Sequence, residues 1–210
     1  IQQHPDHIVV SYVNTTAAVK TLTDIVVTST NARKIIDQLP KDAKIIFAPD
    51  RNFGNYLNNV TGRNMVLWNG GCHVHEQFSV EKLIELKRQY PTAKVLAHPE
   101  CKNSVLQLAD VIGSTQALLN YTQQNTATEF LIATESGILH EMQKHSPHKR
   151  FIPVPPIDSM HDCNECHYMR LNTLEKLYAC LRDETPEITI ATDTQKKAIR
   201  PILKMLEMSK

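Results

Sequence analysis

The chain has 210 residues, with 23 Lys and Arg against 22 Asp and Glu for a formal charge of +1, and 41% of its side chains are hydrophobic. That apolar share fills one large core or two small ones, and the even charge balance offers no footprint for nucleic acid or a membrane surface. No apolar run nears the roughly 18 residues of a membrane span, and no charged-then-apolar start marks a signal peptide, so a cytoplasmic setting is expected.

In chain order, β-branched runs predict strands at residues 7–13, 24–27, 44–48, 65–68, 93–97, 110–112, 129–133 and 151–154. Amphipathic helical stretches lie between them. Over 79–90, for instance, Val80, Leu83, Ile84 and Leu86 mark an apolar face behind Ser79 as cap. Strand and helix in alternation predict an α/β fold of parallel sheets covered on both faces, with ligands at the carboxyl ends of strands.

The pattern repeats. Val9-Val10-Ser11-Tyr12-Val13-Asn14 aligns with Val95-Leu96-Ala97-His98-Pro99-Glu100 at an offset of 86, and Asp24 to Ser29 aligns with Asp110 to Thr115 at the same offset. Ile45 to Asp50 meets Phe130 to Glu135 at 85. Two similar α/β units in tandem are therefore expected. Each ends in a strand followed by cysteine: residues 65–68 lead to Cys72, and 151–154 lead through a loop to Cys163 and Cys166. Run backwards, the offset puts an equivalent cysteine about 14 positions before Ile1. Gln2 to Pro5 matches the helix end Arg88 to Pro91. A third unit upstream of Ile1 is expected on these grounds.

The tail reads differently. Leu174, Leu177, Tyr178 and Leu181 form one helical stripe, 187–190 reads as a short strand, and Ile199, Ile202, Leu203 and Leu206 form a second stripe, in which Pro201 is expected to kink or restart the helix.

Five cysteines scattered through such a chain suggest thiol or metal chemistry more than a disulfide framework. Cys72 follows two glycines where a strand passes toward a helix, and the positive helix end favours its thiolate. Cys163-Asn164-Glu165-Cys166 suits zinc, an iron–sulfur cluster or a redox pair. A zinc module would draw on Cys72, His75, Cys163 and Cys166. Cys180 is expected to be a packed small hydrophobe, and Cys101 has no partner in sequence. After the first strand of each unit stand Tyr12 and Asn14, then His98 and Glu100, on alternating positions that face one way. His98 with Glu100 offers an acid or base near neutral pH, while Tyr12 and Asn14 offer hydrogen bonds. Thr28-Ser29-Thr30-Asn31 and Gly113-Ser114-Thr115-Gln116 sit where strands meet helix N-termini, and serve either as ordinary caps or as a phosphate or carboxylate site.

Taken together, Tyr12-Val13-Asn14-Thr15, Thr28-Ser29-Thr30-Asn31-Ala32, Ala48-Pro49-Asp50-Arg51-Asn52-Phe53-Gly54, Gly71-Cys72-His73-Val74-His75, His98-Pro99-Glu100-Cys101, Gly113-Ser114-Thr115 and Cys166-His167-Tyr168-Met169-Arg170-Leu171-Asn172-Thr173-Leu174 resemble the quinolinate synthase family. The resemblance implies three three-layer αβα units around a pseudo-threefold axis, each giving one cysteine to a 4Fe-4S cluster. It makes 1–71 the second unit, 72–158 the third, and 159–210 a cluster-ligand loop with C-terminal helices packed on an absent first unit. The implied activity is a transferase that condenses iminoaspartate with dihydroxyacetone phosphate to quinolinate in NAD biosynthesis, with L-aspartate oxidase as supplier of the imine. Cys72 and Cys166 match the second and third cluster ligands, and Cys163 matches an additional non-ligating cysteine. Glu100, His98 and Tyr12 take catalytic positions, while Asn14, Ser29, Asn31, His75, Ser114 and Thr115 join them in binding substrate. Three cysteines for four irons leave one iron open to act as a Lewis acid.

Overall fold

A computed structural model describes residues 1–158 and 164–210. The first unit runs β1 (Ile8–Tyr12), α1 (Ala17–Lys20), β2 (Ile25–Val27), α2 (Ala32–Gln38), β3 (Ile45–Phe47), α3 (Arg51–Thr61) and β4 (Val66–Leu67). The second runs α4 (Val80–Gln89), β5 (Lys94–Ala97), α5 (Asn103–Leu106), β6 (Val111–Ile112), α6 (Thr115–Gln124), β7 (Glu129–Ala133), α7 (Ile138–His145) and β8 (Arg150–Pro153). Two further helices follow, α8 (Leu174–Asp183) and α9 (Thr192–Met208). No helix among the described residues is long and apolar enough to cross a membrane.

Each unit builds one four-stranded parallel sheet, and the two sheets share a topology: β2-β1-β3-β4 and β6-β5-β7-β8. The strands are short runs of Val, Ile, Leu and Phe because both faces of such a sheet are covered by helices. Val10 pairs with Ile25 and Phe47 in the first sheet, and Leu96 pairs with Val111 and Ile132 in the second. Val10, Ile25, Phe47, Leu96 and Ile132 are fully buried or nearly so, and Val111 on the edge strand is half-buried. The repeat extends to polar detail. Asp24 Oδ2 accepts the Val9 N–H at 2.8 Å, and Asp110 Oδ2 accepts the Val95 N–H at 2.8 Å, so the same carboxylate locks β2 to β1 and β6 to β5.

Helix starts follow capping chemistry. Asp50, Ser79, Ser114 and Thr173 accept the N–H of Phe53, Lys82, Ala117 and Lys176 and begin α3, α4, α6 and α8. Gly62 ends α3 at φ 69°, the left-handed conformation that glycine adopts without steric penalty. On α4, Leu83 is buried and Val80 and Leu86 pack beside it, while Ile84 lies on the exposed side.

The tail departs from its sequence pattern in three ways. Residues 187–190 form no strand and no bridge to another strand, and Ile188 is 84% exposed. Helix α9 passes through Pro201 without a break; its Met205 is buried in the core of the β1–β4 unit, within this chain and not on a unit upstream of Ile1, and Ala198 and Pro201 are buried as well, so that packing offsets the hydrogen bond that proline cannot make. Cys180 is exposed on α8 rather than packed. Helices α8 and α9 also differ from each other. Helix α9 lies on α1, α2 and β2, whereas Leu174, Leu177, Tyr178 and Leu181 of α8 are all exposed.

Candidate functional site

The carboxyl ends of both sheets open onto one cavity of about 880 Å³. From the first unit come Tyr12, Val13 and Asn14 after β1 and Thr28 and Ser29 after β2; from the second come His98 and Glu100 after β5 and Thr134 and Glu135 after β7. Cys72 and His75 enter from the crossover between units, and Cys166, Tyr168 and Met169 enter from the segment after β8.

Glu100 is the centre of the polar network. Tyr12 donates its hydroxyl to Glu100 Oε1 across the two units. His75 Nδ1 lies 3.1 Å from Glu100 Oε2, and its Nε2 lies 3.1 Å from Thr134 Oγ1. The His75 and His98 rings stack at 4.6 Å with a 25° tilt. His98 Nδ1 accepts the Glu100 N–H at 3.3 Å, which leaves the proton of a neutral ring on Nε2. Asn52 anchors the same turn by donating to the Glu100 carbonyl at 3.0 Å.

Burial here sets the electrostatics. It would raise the Glu100 carboxyl, but the His75 hydrogen bond, the charges of both histidines and the Tyr12 hydroxyl prevail and bring it down to about 2. Burial alone depresses His75, yet the close approach and charge of Cys72 and Glu100 lift it to about 9. His98 is lowered to about 4 by burial and by the neighbouring His75 charge. Tyr12 is pushed far above its ordinary value by burial and by Glu100. At neutral pH the site therefore holds a Glu100 carboxylate against a His75 imidazolium, beside a neutral His98 and a protonated Tyr12.

The two cysteines expected to bind metal face the same cavity, both half-buried against the second unit's core. The residues that follow them meet: the rings of His73 and His167 approach to 4.7 Å, and Tyr168 packs edge-on to His73. Two soft thiol donors brought to one partly buried wall fit an inorganic sulfur-rich group held between them. Ligand atoms of Cys72, His75 and Glu100 also lie within 4.8 Å of one another, a set that sequence spacing alone does not reveal. Cys163 falls outside the described residues. Cys101 points away from the cavity, its thiol donating to the Ala133 carbonyl at 3.3 Å, and burial raises it well above the ordinary thiol range.

The expected anion positions divide. Ser29 and Thr115 reach the cavity, as does Asn14. Ser114 instead caps α6. Asn31 turns aside: its Oδ1 accepts the Thr28 N–H at 2.7 Å, and its amide donates to Ser209 at the end of α9 at 3.0 Å. Thr134 and Glu135 were not singled out by sequence reasoning, although Glu135 stands where the repeat aligns it with Asp50.

Fold and site together define a repeated α/β protein that pools side chains from two parallel sheets around an acid/base network and a pair of cysteines. The chain belongs to the quinolinate synthetase A family, whose family model matches residues 1–207. It is 58% identical over 207 residues to a quinolinate synthase of Microcystis aeruginosa, 56% over 208 to one of Chloroherpeton thalassium and 58% over 208 to one of Synechocystis. Each alignment covers 99% of this chain, which spans 65% of the length of those relatives.

Proposed function

We propose that the protein makes quinolinate by condensing iminoaspartate with dihydroxyacetone phosphate, with loss of phosphate and water, as a cytoplasmic transferase of NAD biosynthesis. The observation that carries this reading is the meeting of Tyr12, His75, His98 and Glu100 with Cys72 and Cys166 at one cavity between the sheets. On this reading 1–71 and 72–158 are the second and third of three αβα units. The third cluster thiolate then comes from outside these 210 residues, and L-aspartate oxidase supplies the imine.

Cys72 and Cys166 would hold a 4Fe-4S cluster, which when bound supplies Lewis-acid polarisation of a substrate hydroxyl or carboxylate. The chain's own groups supply the rest. The Glu100 carboxylate takes a proton at Oε, with His75 Nδ1 and the Tyr12 hydroxyl holding it in place and balancing its charge. Neutral His98, its Nδ1 occupied by the Glu100 N–H, presents Nε2 for proton transfer. Asn14, Ser29 and Thr115 offer hydrogen bonds to substrate carboxylate or phosphate oxygens, with Asn31 and Ser114 shaping the turns that carry them. Burial of His75, His98 and Glu100 keeps water from competing for the contacts among them.

A second reading has one observation in its favour. Cys72, His75 and Glu100 are close enough to bind a single zinc ion, which would make the chain a noncatalytic metal module. Anaerobic preparation of the full-length protein with iron and sulfide separates the two. The first reading expects a brown sample with a broad sulfur-to-iron absorption band and about four irons per chain; a colourless sample with one zinc per chain and no quinolinate formation would reject it.

A further inference from the structure

Asp50 and Glu135 occupy equivalent places in the two units, three residues after β3 and two after β7, and each grips two backbone amides. Asp50 Oδ1 accepts the Phe53 N–H at 2.8 Å, and its Oδ2 accepts the Cys72 N–H at 2.8 Å, 22 residues away. Glu135 Oε2 accepts the Gly137 N–H at 2.8 Å, and its Oε1 accepts the Cys166 N–H at 3.2 Å, 31 residues away. One oxygen thus secures the local turn and the other secures the cysteine of the same unit. The contact survives a change of side-chain length from Asp to Glu and an alignment offset of 85 in place of 86. It also survives a different separation between strand and cysteine, five residues after β4 in one unit and 13 after β8 in the other.

Neither carboxylate has another task that explains the match. Asp50 is 2% exposed, and burial raises its carboxyl against the pull of the two amides; capping α3 uses one of its oxygens and leaves the other for the Cys72 N–H. Glu135 is joined by Arg170 at 3.8 Å, and the Ser136 N–H adds a bond to the Asn164 carbonyl at 3.0 Å, so the Cys166 segment is tied down at several points around this residue. A backbone N–H bound to a carboxylate is a charge-assisted contact that fixes the Cα, and so the origin of the thiol vector, within a narrow range.

We propose that Asp50 and Glu135 are paired positioning residues, each orienting one cysteine of its own unit toward the shared metal group. This rests on the reading of Cys72 and Cys166 as cluster ligands. The carboxylates also place one negative charge beside each thiolate, which makes adding an electron to the cluster harder.

The test uses the full-length protein with its cluster assembled anaerobically, and reads the rate of iron loss to a chelator together with the cluster's midpoint potential. Glu135→Ala removes the acceptor and is expected to lose iron about tenfold faster, and Glu135→Gln, which keeps an acceptor oxygen, to stay within about threefold of wild type. The midpoint potential rises in both, because both remove the charge. Asp50→Ser keeps a cap for α3 but cannot reach Cys72, so it is expected to match Glu135→Ala even if larger changes at this buried site prevent folding. Wild-type iron loss and potential in Glu135→Ala and Asp50→Ser would overturn the proposal while leaving the cluster reading intact. Equal, rapid loss in Glu135→Ala and Glu135→Gln with unchanged potential would also overturn it, pointing to general loosening. A wild-type protein that binds no cluster would overturn the cluster reading, and this proposal with it.

Discussion

The two units share strand order, edge-locking aspartates and paired cysteine-holding carboxylates, yet the strand ends that face the cavity carry different chemistry. After β1 the first unit presents Tyr12 and Asn14; after β5 the second presents His98 and Glu100. The scaffold is the same and the functional groups differ. Neither unit holds a complete acid/base network, and the Tyr12 to Glu100 hydrogen bond is the point where the halves become one site.

The largest expected effect comes from removing what only the pair provides. Cys72→Ala or Cys166→Ala is expected to abolish stable cluster loading, because each thiolate anchors one iron; iron and sulfide analysis checks this, and full loading in either variant would detach that cysteine from the set. Next is the second unit's core. Leu131→Ala, at a fully buried position of β7, should cost about 2–5 kcal/mol in denaturant unfolding, whereas Leu177→Ala on the exposed stripe of α8 should stay within about 0.5 kcal/mol. A large loss at Leu177 would mean that another surface covers α8 in solution.

Smaller and more diagnostic is the comparison of Asp24→Ala with Asp110→Ala. The same 2.8 Å contact in each sheet predicts similar losses of about 1–3 kcal/mol, and a clear inequality would break the equivalence of the units. The smallest signal is a titration that fails to occur. With its folded value near 4, below the unfolded value of about 6.5, His98 stays neutral on lowering the pH from 8 to about 5 in the metal-free protein, as its ring-proton NMR shifts will report. The sign follows: the folded state binds that proton less tightly, so the stability contributed by neutral His98 is present above about pH 6.5 and is lost as pH falls toward 4.

Sequence pattern made the sheets and their repeat legible because parallel strands buried on both faces must be short apolar runs, and because Asp24 and Asp110 recur at one offset. The cavity residues at strand ends were legible for the same reason, since parallel topology sends Tyr12, His98 and Glu100 to one edge. What stayed hidden depends on distant packing. Asn31 turns from the cavity because Ser209, 178 residues later, arrives on α9 to receive its amide. The β-branched run at 187–190 has the composition of a strand but pairs with no other strand. Helices α8 and α9 carry similar apolar stripes, yet on α9 only Ile202 of that stripe packs, beside Met205 and Met208, while Ile199, Leu203 and Leu206 stay exposed like the whole stripe of α8.

The central claim is that Glu100, held between Tyr12 and His75, moves the proton that the condensation requires. Quinolinate formation by full-length Glu100→Gln, with cluster content confirmed equal to wild type, tests it most directly. Turnover is expected to fall by at least about 100-fold, the lower end of what a positioned general acid or base contributes; wild-type turnover in that variant would contradict the account.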